Sequence, residues 1–139
     1  MLLNKETFSF KDEVFTVYEL SALQRIELLE YLTSEEKAHQ ADVIDESESA
    51  QSTRLISFNI RAGARVVAMS LWHGTDKAES VEQLHRQVLE TWPVAAIGEA
   101  DSLVKRLSGM LPEVAADESE RQSAANLEKE VDAEPLQKP

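Results

Sequence analysis

The chain has 139 residues, 42% apolar and 29% charged, with no cysteine and a formal net charge of −12 from 14 Lys and Arg against 26 Asp and Glu, which leaves room for one modest domain or a domain and a tail. So acidic a chain is not expected to bind nucleic acid, because phosphate-backbone binders present clustered Lys and Arg, and without cysteine it has no disulfide framework, thiol chemistry or thiolate metal site. No run approaches the roughly 18 apolar residues that span a bilayer, and residues 1–7 lack the basic and apolar blocks of a signal peptide, so the expectation is a soluble cytosolic protein with no membrane partner.

Phe8 and Phe10 alternate with polar residues before a polar break at Lys11, Asp12 and Glu13, and Val14, Phe15 and Val17 follow. This predicts a β-hairpin over residues 7–18. An isolated hairpin is marginal in water, so this one must rest on helices or pair with another chain. Ser21 and Gln24 have the spacing of a capping box that opens a first helix. Leu20, Leu23, Ile26, Leu29 and Leu32 then predict its apolar face, with Gln24, Arg25, Glu27 and Glu30 left to water. The pattern fades after Leu32, and the polar stretch 33–53, acidic in its second half, reads as a frayed helix end and a mobile connection.

A second helix is expected over about residues 52–73, the most apolar segment and therefore central. Gly63 in its middle costs about 1 kcal/mol relative to Ala, which a close helix crossing or a kink would explain. A stop at His73-Gly74 uses the left-handed tolerance of glycine. Ser80 and Gln83 form another capping box for a third helix carrying Val81, Leu84, Val88 and Leu89. Pro93 opens a fourth with Val94, Ile97, Leu103, Val104 and Leu107, ended by Gly109 and Pro112. Residues 112–139 hold eight acidic and three basic side chains, no aromatic, and only Val114, Leu127, Val131 and Leu136 as sizeable apolar groups. They read as a flexible acidic tail. The predicted fold class is thus mainly α: a domain of about four helices over residues 1–111 with a short N-terminal hairpin, followed by an acidic tail of disordered composition over 112–139.

Chemistry-bearing patterns are sparse. His39, His73 and His85 fall in separate segments without ligand spacing, so no metal site is expected. Four glycines at positions 63, 74, 98 and 109 form no phosphate loop, and no cofactor is expected. Glu35-Glu36 and Glu118 with Glu120 sit in polar surroundings and read as solvated rather than as an acid and base pair. No catalytic residue is assigned. Trp72 and Trp92 stand where helices end; they read as junction packing, with a recognition anchor as the alternative use of so large an apolar surface.

The block Glu19-Leu20-Ser21-Ala22-Leu23-Gln24-Arg25-Ile26-Glu27 is followed in order by Val67-Ala68-Met69-Ser70-Leu71-Trp72-His73, Val88-Leu89 with Thr91-Trp92-Pro93, Ala96-Ile97, and Arg106-Leu107-Ser108-Gly109-Met110. In these blocks and their spacing the chain resembles the tail assembly protein G family of lambda-like phages over about residues 1–111, weakly in 33–54 and not beyond Pro112. The resemblance implies a non-enzymatic tail assembly chaperone of a long, flexible tail, working in the host bacterial cytoplasm and absent from the mature virion. It implies the tape measure protein as partner, a homo-oligomer, and a longer frameshifted G-T product that reaches the tail tube protein. The chain then corresponds to the short product. A tandem minus-one slip needs bases that repeat in triplets, and Asn126-Leu127 after Ala125 is the tail position where codons can obey that pattern in full. The acidic surface alone would also permit a small adaptor or inhibitor of a basic host protein.

Overall fold

The computed structural model describes residues 2–41 and 47–111. The chain divides into a unit Met1–Ser108, which carries every element below, and a unit Gly109–Pro139, of which residues 109–111 are described. The acidic tail expected over 112–139 lies outside the described residues, as does the central part of the expected mobile connection, residues 42–46.

Strands β1 (Lys5–Phe10) and β2 (Glu13–Tyr18) form an antiparallel hairpin with Phe8 opposite Phe15 and Phe10 opposite Glu13. The two-residue turn places Lys11 at φ 56°, the positive value that lets a tight turn follow strand twist. Helices α1 (Ala22–Ala41), α2 (Glu48–Trp72), α3 (Val81–Thr91) and α4 (Val94–Leu107) follow. The hairpin rests Phe8 and Val17 in the core, while Val14 is exposed. Helix α2 is central through its C-terminal half, where every residue from Val66 to Ser70 is buried; it packs against α1, α3, α4 and β2.

Gly63 marks a crossing and not a kink. Helix α2 runs unbroken through it, and a Cβ there would stand 3.3 Å from Ile97 Cγ2 of α4. Gly74 has a different role from the one expected. Its φ is not positive; the left-handed residues of the α2–α3 connection are Asp76 (φ 58°) and Lys77 (φ 61°). What glycine provides at 74 is room, since a Cβ would lie 3.2 Å from Tyr18 Cε1.

Two further expectations are corrected. Helix α1 continues through the polar residues 33–40 to Ala41, and α2 begins at Glu48 with Ser47 as its cap, so most of the stretch read as a connection is helical. The face of α1 is also rotated. Leu20 just before the helix and Leu28 within it are buried, but so is Gln24, whereas Leu23, Ile26 and Leu29 are 62%, 54% and 64% exposed.

The reason is a set of polar bonds at the strand-to-helix junction, residues 18–25. Tyr18 N donates to Ser70 Oγ of α2 at 2.6 Å, and Leu20 N donates to Ser108 Oγ at 3.0 Å. The Ser108 hydroxyl in turn donates to Val104 O, and Arg25 Nη1 donates to Ser108 O. The Ser21 and Gln24 capping box forms as expected, with Ser21 N donating to Gln24 Oε1 and Gln24 N to Ser21 Oγ. The same Gln24 then reaches inward, where Nε2 donates to Met69 O at 2.8 Å. With that amide nitrogen committed, Oε1 accepts from His73 Nε2–H at 2.8 Å. Apolar periodicity sees none of this, because the buried side chain is chosen by hydrogen bonds.

Burial, and secondarily Lys77, pushes the His73 imidazole below its ordinary value of 6.5. Burial also lowers His85, against the raising effect of its bond to Arg61 O. Both folded values lie below the unfolded one, so the unfolded chain binds more protons once pH falls below 6.5. Stability is therefore fully present above that pH, declines as pH drops through it, and levels off below the depressed folded values. Between about pH 7.5 and about 5.5 the melting temperature is expected to fall, and His73→Asn to flatten that fall. Gln24→Ala, which removes the buried donor to Met69 O and the part-buried acceptor of Ser21 N, is expected to cost about 1 to 3 kcal/mol in urea unfolding. Leu23→Ser, on the exposed side of the same helix, is expected to change stability by less than about 0.5 kcal/mol.

Candidate interaction surface

Trp72 and Trp92 are both half-buried and occupy different ends of the fold. Trp92 follows α3 and stacks on the hairpin, 5.9 Å from the Phe8 ring and 4.7 Å from Phe15. With Phe10, Phe15 and Pro93 it lines a groove of about 460 Å³ that Lys11 and Glu13 border. Trp72 ends α2, lies edge-on to His73 at 5.2 Å, and carries the Lys77 ammonium over its ring at 5.3 Å. The structure does not bring the two indoles into one site; each closes a helix junction and keeps part of its surface in solvent.

The histidines are dispersed as well. His73 is held by Gln24, His85 donates to Arg61 O and meets the Tyr31 ring edge-on, and His39 stands by Glu35, Arg54 and Phe58 with its Nδ1 unbonded. Among the described residues no three His, Asp or Glu side chains are grouped to hold a metal ion. Glu35 is half-buried beside His39, Glu36 is exposed, and Glu118 and Glu120 lie outside the described residues. Asp101 is a largely buried carboxylate: burial raises its pKa, and Lys105 Nζ at 3.2 Å partly offsets this. It sits under the α2–α4 crossing beside Gly63, in packing and not in a cleft.

The described helices include none long and apolar enough to cross a membrane. What stands out on their surface is apolar. On α1 the residues Leu23, Ile26 and Leu29, three apart, form an exposed stripe. Glu27 and Glu30 stand beside it, also exposed, whereas the nearby cation Arg25 is drawn to Ser108 O. At its C-terminal end the stripe runs into a shallow groove formed by Leu29, Glu30, Thr33, Ser34 and Lys37. Leu55 and Ile56 on the N-terminal half of α2 are exposed too, at 55% and 59%. Apolar periodicity finds these leucines and isoleucines but assigns them to the interior; on α1 the inward pull on Gln24 is what turns Leu23, Ile26 and Leu29 out. Contiguous exposed apolar side chains of this kind mark an interaction surface.

Comparison with known proteins agrees with a binding role. Residues 1–128 match the family model described as bacteriophage lambda tail assembly chaperone, TAC, protein G. The chain is 38% identical over 122 residues to tail assembly protein G of Escherichia phage N15, covering 82% of this chain and 81% of that protein. It is 42% identical over 117 residues to tail assembly protein G of Escherichia phage lambda, covering 79% of each. The same 117 residues match tail assembly protein GT of phage lambda over 39% of that longer protein. No solved structure matches. Across most of its length the chain is thus similar to these relatives, and it belongs to the lambda tail assembly chaperone family, the protein G family.

Proposed function

We propose that this chaperone binds the tape measure protein of a long phage tail and keeps it soluble until the tube encloses it. The observation that carries the reading is the exposed stripe Leu23, Ile26 and Leu29 on a helix whose inward face is already satisfied by Gln24 and Leu28. A tape measure is an extended helical rod with apolar stripes, and an apolar helix face on a strongly acidic protein covers such a stripe while the complex stays soluble. The activity needs no catalytic group and no cofactor, and it takes place in the host cytoplasm before the virion is complete. Several copies act together as a homo-oligomer along the rod.

The G and GT names of the relatives support a short and long pair of products that share the region matched by this chain. The longer product would carry the extension that recruits tail tube protein. The proposed slip at Asn126-Leu127 lies outside the described residues, and codons other than AAU-UUA after an A-ending Ala125 codon would eliminate that placement.

The experiment is co-expression with the cognate tape measure protein. Parent chain is expected to hold it in the soluble fraction, and Leu23→Ser, Ile26→Ser and Leu29→Ser combined to lose that capacity with the melting temperature kept within a few degrees. If the triple variant folds and still keeps the tape measure protein as soluble as the parent does, the stripe is not the binding face.

A further inference from the structure

Self-association is part of the proposed function, and the following inference rests on it by naming the surface. The geometry points to a two-fold dimer in which β1 pairs antiparallel with β1 of a second copy and the two α4 helices meet beneath the joined sheet.

The strand edge comes first. In the hairpin the turn-closing pair Phe10 and Glu13 exchanges hydrogen bonds, and pairing then alternates, so Phe8 with Phe15 and Glu6 with Val17 are the bonded pairs. The backbone groups of Lys5, Thr7 and Ser9 on β1, and of Val14, Thr16 and Tyr18 on β2, therefore point away from the hairpin. The bond from Tyr18 N to Ser70 Oγ confirms this alternation and closes one end of the β2 edge. Lys5, Thr7 and Ser9 are exposed, and their outward N–H and C=O groups meet no partner among the described residues. A two-stranded sheet with one edge open is a template for a further strand.

The surface beside that edge says which strand. Thr7, Phe8 and Ser9 form one wall of an open groove of about 700 Å³, and the exposed side of α4, with Gly98, Glu99, Ser102 and Arg106, forms the other. Helix α4 buries Ala96, Ile97, Ala100 and Val104 on its opposite side. Antiparallel pairing about Thr7 sets Thr7 opposite its own copy and Lys5 opposite Ser9, so all six outward residues find bonded partners and no like charges face each other. The two-fold axis of such a pairing is normal to the sheet. Both α4 helices therefore lie on the same side of it and run antiparallel.

Charge then completes the match. Glu99 and Arg106 are seven residues apart on one side of α4, and neither forms an ion pair among the described residues. Reversing the helix about Ser102 and Leu103 puts Glu99 of each copy opposite Arg106 of the other, twice over. Gly98 has nothing within 4 Å of a Cβ position, which leaves space for the second helix to approach. An unrelated extended peptide could use the strand edge, but it would have no reason to satisfy the charges of α4 in this reciprocal way.

The test is sedimentation velocity on the full chain over a concentration series reaching the millimolar range. The parent is expected to dimerise. Glu99→Arg and Arg106→Glu, each of which sets like charges opposite each other twice, are expected to weaken dimerisation by about tenfold. The double variant E99R/R106E restores the pairing with its sense inverted and is expected to return close to the parent. Thr7→Pro removes an outward N–H and no bond of the β1–β2 ladder, and it too is expected to weaken the dimer by about tenfold or more. Circular dichroism melts on the same samples show that each variant is folded. Association unaffected by the single reversals, or not restored by the double variant, overturns this surface while self-association stands. A parent that remains monomeric throughout overturns both, and the tape measure co-expression result is independent of either.

Discussion

The fold depends on how one short stretch of backbone is satisfied. Where β2 ends and α1 begins, the N–H groups of Tyr18 and Leu20 reach neither the strand ladder nor a completed helical turn, and a buried amide without a partner is costly. Ser70 from α2 and Ser108 from the end of α4 supply acceptors to Tyr18 and Leu20, and Gln24 returns a donor to Met69 O. Two elements far apart in sequence, α2 and the end of α4, are thereby fixed to the same short stretch, residues 18–25. The apolar core of Phe8, Val17, Val66, Val67, Val88, Ile97 and Val104 supplies most of the driving force for collapse, but it is non-directional. The serines and the glutamine decide how α1 is rotated once it has docked.

That rotation accounts for what the amino-acid sequence could and could not disclose. The hairpin, the four helices, both capping boxes and the close crossing at Gly63 follow from local rules of alternation, side-chain caps and steric size. The inward face of α1 does not, because a scale of hydrophobicity ranks Leu23, Ile26 and Leu29 above Gln24, and only the position of Met69 O and His73 reverses the order. The extent of α1 was hidden for a related reason: residues 33–40 are polar, yet they hold helical geometry along the N-terminal half of α2, where few large side chains are needed. The left-handed turn was sought at Gly74 by residue type, whereas Asp76 and Lys77 take those conformations and Gly74 makes room for the Tyr18 ring. The exposed stripe of α1 is therefore visible as composition and invisible as a surface.

A helix that hides an amide and shows leucines is a poor solution for a protein meant to remain alone, and a reasonable one for a protein with a transient client. The polar junction holds α1 in register whether or not the outer face is covered, so the face can be vacated without loss of the fold. The net charge of −12 opposes nonspecific coalescence of such faces. The proposed client and copy contacts use separate regions, the α1 stripe for one and the β1 and α4 edge for the other, so neither excludes the other.

The two tryptophans give this division an optical handle. The Trp92 indole lies against Phe8 and Phe15, so its emission follows the seating of the hairpin on the helices. The Trp72 indole lies under the Lys77 ammonium beside His73, so it responds to the charge of the turn after α2. A pair of chains each retaining one indole would therefore separate, in the spectrum of the unlabelled protein, events at the strand end of the molecule from events at the turn.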